Sequence, residues 1–300
     1  MNIIIKSITN IDDYHKIEDL QRRIWGMTDL ETIPARFMHA LAHNGASLLG
    51  AYDGDKLVGF NFGVLGTAEG LRDRVDQVAA ARLKMYSVIM GIHPDYQHAG
   101  IGYDLKLAQR EFALRIGIRL ITWTYDPLES RNGWLNIGKL GCVCDSYLRD
   151  FHGQMSGINA GLPTDRFEVS WWVTGNRAKS RTGDRVNKYG EKRRRHPLEL
   201  DAILGGGAFL INEAIFNAAG FATPPTEILP ATTRILLVEI PSNFQAIKKT
   251  DFPLAQQWRQ HTRILFEMLF AQGYVVTDFA RKQEPDQPLR TFYVLTHRNT

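Results

Sequence analysis

Residues Tyr86-Ser87-Val88-Ile89-Met90-Gly91-Ile92 form a nearly unbroken apolar run that stops at His93-Pro94. Proline lacks the amide donor that would continue a ladder, so the run reads as an interior strand with a sharp end. Asp95-Tyr96-Gln97-His98-Ala99-Gly100-Ile101-Gly102 follow, and then Ile101, Leu105, Ala108, Phe112 and Ile116 recur at intervals of three and four. That spacing predicts an amphipathic helix closed by Gly117, with a further strand over 118–124. Strand, glycine loop, helix and strand in this order restrict the chain to a mixed α/β architecture.

The preceding segments argue against a strict alternation of strands and helices. A short strand is expected over 3–8, then a helix that opens on Asp12-Asp13 and carries Ile17, Leu20 and Ile24 on one face towards Trp25-Gly26. Two strand-like runs, 47–52 and 56–63, flank Asp53-Gly54-Asp55 and read as a hairpin. A helix followed by an antiparallel pair is not the order of a dinucleotide-binding fold.

The chemistry concentrates in the glycine loop. Free amides at the start of a helix, aligned with the positive end of its dipole, suit phosphate groups. Gly100 and Gly102 let a ligand approach the backbone closely. The spacing is neither the Lys-Ser/Thr-terminated nucleotide loop nor G-x-G-x-x-G after a first strand, so another phosphate-bearing ligand is implied.

Gln97-x-x-Gly100-x-Gly102 after Ile92-His93-Pro94 resembles the acyl-CoA signature of the GNAT superfamily of N-acetyltransferases, over roughly residues 1–175. The Trp258-Arg259 pair and the Gly273-Tyr274-x-Val276-x-Asp278-Phe279 run resemble long bacterial members with an added C-terminal half. The resemblance implies a mixed central sheet flanked by helices and acetyl-CoA, or another acyl-CoA, as co-substrate. It implies that Met90, Gly91 and Ile92 bond the pantetheine arm and that Gln97, His98, Ala99, Gly100, Ile101 and Gly102 hold the pyrophosphate. It further implies acyl transfer to an amine by direct attack through a tetrahedral intermediate, with the oxyanion near Met90 to Ile92 and no metal.

The catalytic groups depart from the family's pattern. Ser130 and Ile137 occupy the positions where the family often carries Asn and Tyr. Asn132, on the cofactor side, and Asn136 and Tyr147 are nearby substitutes, with Tyr147 the first candidate acid and a core tyrosine with a satisfied hydroxyl the simpler account of it. His93, Asp126 and Glu129 follow the central strands and are candidate bases, with turn-capping or solvation the simpler account of each. Cys142 and Cys144, the two thiols of the chain, read as packing.

With 300 residues, the chain suggests two packed units. The formal net charge of +4 comes from one segment, because Arg177 to Arg195 holds nine Lys/Arg against two acids. Almost no apolar side chain lies there, so 176–198 reads as a basic linker between a domain at 1–175 and an α/β domain at 199–300. A buried-type strand at 235–240, a helix with Leu254, Trp258, His261, Leu265, Met268 and Leu269 on one face, Gly273 and a strand from Tyr274 parallel the order of Tyr86 to Asp126. The second half is thus expected to be a divergent half-repeat, with the glycine-free loop at 242–250 leaving it without a cofactor site of its own. Arg259 and Arg263 could jointly grip an acidic acceptor, exposed helix charges being the simpler account.

Lacking an apolar run of membrane-spanning length or a signal-peptide core, the chain is expected in the cytoplasm, without membrane contact. Its partner is expected to be a small-molecule or peptide amine; nucleic acid is disfavoured and a homodimer left open. Two other functions remain: a non-catalytic acyl-CoA sensor, and an aminoacyl-tRNA-dependent transferase of duplicated GNAT fold that uses the basic segment.

Overall fold

The computed structural model describes residues 2–68, 83–155, 157, 160–183 and 199–298. Contacts gather the chain into two units, one of Met1–Trp123, Met155–Ala160 and Trp172–Thr174, the other of Thr124–Gln154, Gly161–Trp171 and Gly175–Thr300.

In the first unit β1 (Ile3–Ser7), β2 (Ser47–Asp53), β3 (Lys56–Thr67), β4 (Leu83–Ile92) and β5 (Leu120–Tyr125) lie in sequential order. β4 is interior, antiparallel to β3 and parallel to β5. Helix α1 (Ile11–Trp25) starts where the Asn10 side chain accepts the Asp12 N–H, and it ends at Gly26, whose φ is 69°. It buries Tyr14, Ile17 and Leu20 with Met38 of α2 (Ala35–His43) against Leu48, Phe60 and Phe62. Leu49 points the other way from Leu48 and packs with Ala51, Val58 and the first turn of α3 (Ile101–Arg115), through Ile101 and Leu105. The loop from β4 to α3 is therefore anchored at both ends by buried apolar contacts.

The second unit takes the end of β5 and a short helix, α4 (Ser130–Gly133), which passes into a π-helical turn at Trp134–Lys139. It continues with β6 (Val143–Leu148), β7 (Arg166–Trp172), α5 (Asn176–Thr182) and α6 (Leu200–Gly205). Three two-residue strands follow, β8 (Phe209–Leu210), β9 (Ile215–Phe216) and β10 (Ala222–Thr223), then β11 (Ile235–Ile240), α7 (Phe244–Thr250), α8 (Phe252–Ala271), β12 (Tyr274–Lys282) and β13 (Arg290–His297). Strand order runs β7-β6-β12-β13-β11-β8. The core is aromatic: Phe167 of β7 meets Phe266 and Phe270 of α8 and Tyr293 of β13 at ring separations of 4.6, 5.6 and 5.3 Å.

Three expectations are corrected. The units do not divide at a linker over 176–198, because β6 bridges β12 at Cys144↔Val276 and β7 supplies Phe167 to the aromatic core. The start of that segment is helical rather than a solvated connector: α5 buries Ala178, Arg181 and Thr182, Arg181 pairs with Asp278 at 2.5 Å, and Arg177 donates to the Gly141 carbonyl. The remainder of the basic stretch, 184–198, lies outside the described residues. Finally, β11 and β12 do not pair with each other as β4 and β5 do, since β13 is antiparallel to both and stands between them. That order matches the end of β5 with β6 and β7, where the third strand again lies between the first two. The glycine-free loop expected at 242–250 is mostly α7, capped by the Asn243 side chain.

Candidate functional site

The loop expected to hold the cofactor is built by one strand end and one helix start. The Gln97 amide Nε2 donates to the Ile92 carbonyl at 3.4 Å, tying the loop to the end of β4. Pro94 to Tyr96 make one turn of 3₁₀-helix, capped where the His93 Nδ1 accepts the Asp95 N–H. His98 and Gly100 then take φ of 75° and 84°, the left-handed region. Gly100 is the cap of α3, and a Cβ placed on it would meet open space. Among the described residues the N–H groups of His98, Ala99 and Gly100 have no backbone partner, and those of Ile101 and Gly102 are the first two of the helix. Five consecutive amides therefore remain for an anion, with residues 97–100 exposed.

The strand leading into this loop has a free edge. β4 pairs with β3 through Met90, Gly91 and Ile92, but with β5 at Met85↔Ile121 and Tyr86↔Thr122 alone. Beyond Tyr86 the backbone facing β5 has no ladder partner among the described residues and can bond an extended ligand. A bulge between Phe62 and Gly63 leaves Val88 unpaired with β3, bending the strand there. Period-two reasoning did not reveal that bulge.

His93 is buried, at 5% exposure, and its Nε2 lies 3.1 Å from an Arg23 guanidinium nitrogen. Its Nδ1 caps the turn, and that contact accounts for the side chain without a catalytic role. Asp126, Glu129, Asn132 and Tyr147 belong to the second unit. Asn132 lies exposed in α4, its N–H bonded to the Glu129 carbonyl.

The chain after β5 forms a dense charged cluster. Asp126 accepts both guanidinium nitrogens of Arg259, at 3.0 and 2.5 Å, and lies 3.8 Å from Arg166. Its Oδ1 also accepts the Leu128 N–H, so the expected turn cap is real and an ion pair is added to it. Glu129 accepts Gln245 Nε2 from α7 at 2.6 Å. Burial, followed by the adjacent Asp126 charge, pushes its carboxyl above the usual range. Tyr147 sits on β6 and donates to Asp165 at 2.8 Å, while Arg263 clamps Asp165 at 2.8 and 2.6 Å. Burial and the Asp165 charge drive the phenol strongly upwards.

Ile137, at the position where a tyrosine was sought, is fully buried, and Asn136 is buried beside it. Cys142 and Cys144 are buried, and burial raises the Cys144 thiol well above its ordinary value, against a nucleophilic role. Arg259 and Arg263 are turned inward onto carboxylates rather than solvated. Arg166 and Gln245 carry no signal of this role in the sequence, because Asp126 and Glu129 stand 40 and 116 positions away from them. No group of three or more His, Cys, Asp or Glu side chains suited to a metal occurs among the described residues. No helix there is long and apolar enough to cross a membrane.

No family model and no curated protein matches the chain. Solved structures do. The chain is similar in fold to GNAT-family N-acetyltransferases. A putative GNAT acetyltransferase from Desulfovibrio desulfuricans shares 15% identity at a TM-score of 0.42, covering 58% of this chain and 100% of that one. Arabidopsis thaliana NAA60 in complex with acetyl-CoA shares 17% at a TM-score of 0.46, with 58% and 100% covered. The ribosomal-protein-S18-alanine N-acetyltransferase of Escherichia coli shares 13% at 0.42, with 58% and 97% covered.

Proposed function

We propose that this protein is an acyl-CoA-dependent N-acyltransferase acting on an amine. The observation that carries the reading is the run of five amides from His98 to Gly102, opened by left-handed Gly100 and placed between a free-edged strand and a helix start. Such a cradle suits a pyrophosphate, and the adjoining edge at Met90 to Ile92 suits the amide-bearing arm of pantetheine. Acetyl-CoA supplies an acyl carbon activated as a thioester.

Of the expected catalytic side chains, Glu129 has the chemistry of a base. It follows β5, the parallel neighbour of β4, and burial with the adjacent Asp126 charge raises its carboxyl above the ordinary value. In this reading it takes the proton of the attacking amine as the C–N bond forms and the C–S bond breaks. Asp126 holds Arg259, and Tyr147 holds Asp165; neither is assigned a proton-transfer role.

The buried Ile137 and the engaged Tyr147 hydroxyl also favour a second reading, an acyl-CoA sensor without turnover. Calorimetry with acetyl-CoA, followed by thiol release across a panel of amines, separates the two. Binding with amine-dependent thiol release supports the transferase, binding without release the sensor, and absence of binding removes both.

A further inference from the structure

Asp126 and Glu129, on the chain that leaves β5, are met by partners of different charge. Asp126 receives both terminal nitrogens of the Arg259 guanidinium, a cation that offsets its charge. Glu129 receives at Oε1 the side-chain amide of Gln245 at 2.6 Å, a donor that carries no charge. Among the described residues no hydrogen bond engages Glu129 Oε2. The next residue, Ser130, donates its hydroxyl to the Ser242 carbonyl at 2.6 Å. Residues 129 and 130 are thus tied to the start of α7, which is itself fixed by the Asn243 cap and by buried Phe244 and Ile247.

Burial raises the Glu129 carboxyl, and the Asp126 charge adds to it, while the Gln245 hydrogen bond, Arg131 and Arg259 act in the opposite sense. Arg166, Lys248 and the Tyr293 phenol also lie within its electrostatic reach. An arginine at 245 would pair with Glu129 as Arg259 pairs with Asp126, and the carboxylate would lose basicity. A neutral amide fixes the carboxyl without offsetting its charge. Two carboxylates given such different surroundings can divide the work, one structural and one in proton transfer.

We infer that Gln245 is the positioning residue of the base: from α7 it holds Glu129 by Oε1 and leaves Oε2 to take the acceptor's proton. The inference rests on the transferase reading with Glu129 as base. The proton passes from the amine nitrogen to Oε2 as the C–N bond forms, and the C–S electron pair leaves with sulfur. Gln245 acts through Glu129 and exchanges no proton.

The test uses the full-length protein with Gln245→Met, which keeps the length and removes the donor, Gln245→Lys, which replaces the neutral donor with a cation, and Glu129→Gln. The acidic limb of kcat/KM should move up by about one pH unit in Gln245→Met and down by about one in Gln245→Lys. Above the limb, kcat should fall at least about tenfold in both. A carboxyl NMR titration with isotope-labelled glutamate, the Glu129 resonance assigned by its loss in Glu129→Gln, should move in the same two directions. Altered packing alone would not drive the two variants in opposite directions. A limb and a carboxyl titration that stay in place, or that move the same way in both variants, overturn the positioning role, as does a limb that persists in Glu129→Gln. If the wild type shows no amine-dependent thiol release, the transferase reading fails, and the carboxyl titration alone decides whether Gln245 holds Glu129.

Discussion

Arg259 grips Asp126 with both terminal guanidinium nitrogens, Nη2 to Oδ2 at 2.5 Å and Nη1 to Oδ1 at 3.0 Å, fastening α8 to the chain that leaves β5. Removing one charge of a buried pair leaves the other uncompensated. Asp126→Asn should therefore lower stability by about 3 kcal/mol in denaturant unfolding. Acetyl-CoA affinity should not change, since Asp126 is outside the amide run from His98 to Gly102 proposed to hold the cofactor.

Gly100 holds φ at 84° with free space where a side chain would begin, so the fold tolerates a substituent that the ligand would not. Gly100→Asp places a carboxylate among amides that would otherwise receive phosphates. The left-handed backbone should cost about 1–2 kcal/mol. Calorimetry should show the Kd for CoA weakened at least about tenfold, a strong effect for one charge at a helix start. Unchanged affinity would remove the site.

For Glu129 to act as base it must be ionised, and burial with the Asp126 charge raises its carboxyl above the ordinary value. The acidic limb of the pH–rate profile should accordingly lie above the usual carboxylate range, with the rate rising as pH increases through it. Glu129→Gln should lower kcat/KM by roughly 10²–10⁴ and abolish that limb. A limb that persists in the variant belongs to another group.

His261 of α8 is 8% exposed, its Nε2 accepts from the Asn212 amide at 3.2 Å, and burial lowers it from 6.5 to about 4. The unfolded chain takes up this proton first as pH falls, so the contribution is present above pH 6.5 and is lost towards pH 4. The full window corresponds to about 3 kcal/mol. Urea unfolding should show a shallower loss of stability between those limits for His261→Gln than for the wild type.

The strand over 86–92, the loop at Gln97 to Gly102 and the helix that follows were legible as sequence because each is governed by neighbours. Proline stops a ladder, glycine opens a turn, and apolar residues three and four apart make a helix face. The hairpin around Gly54 was legible for the same reason, and the structure realises it as β2 and β3. The basic stretch misled at its start because composition counts charge without its partner. Arg181 meets Asp278, 97 positions away in the chain.

The candidate catalytic groups show the limit most clearly. Asp126 and Glu129 could be named from their place after a strand, yet what each does depends on Arg259 and Gln245, which stand 133 and 116 positions further on. Sequence by itself determined the elements of the glycine loop at Gln97 to Gly102, whose conformation follows from local sterics and hydrogen bonding. Tertiary structure alone decided which carboxylate is neutralised and which keeps a raised carboxyl, because burial and charge pairing act through space between residues that the chain holds far apart.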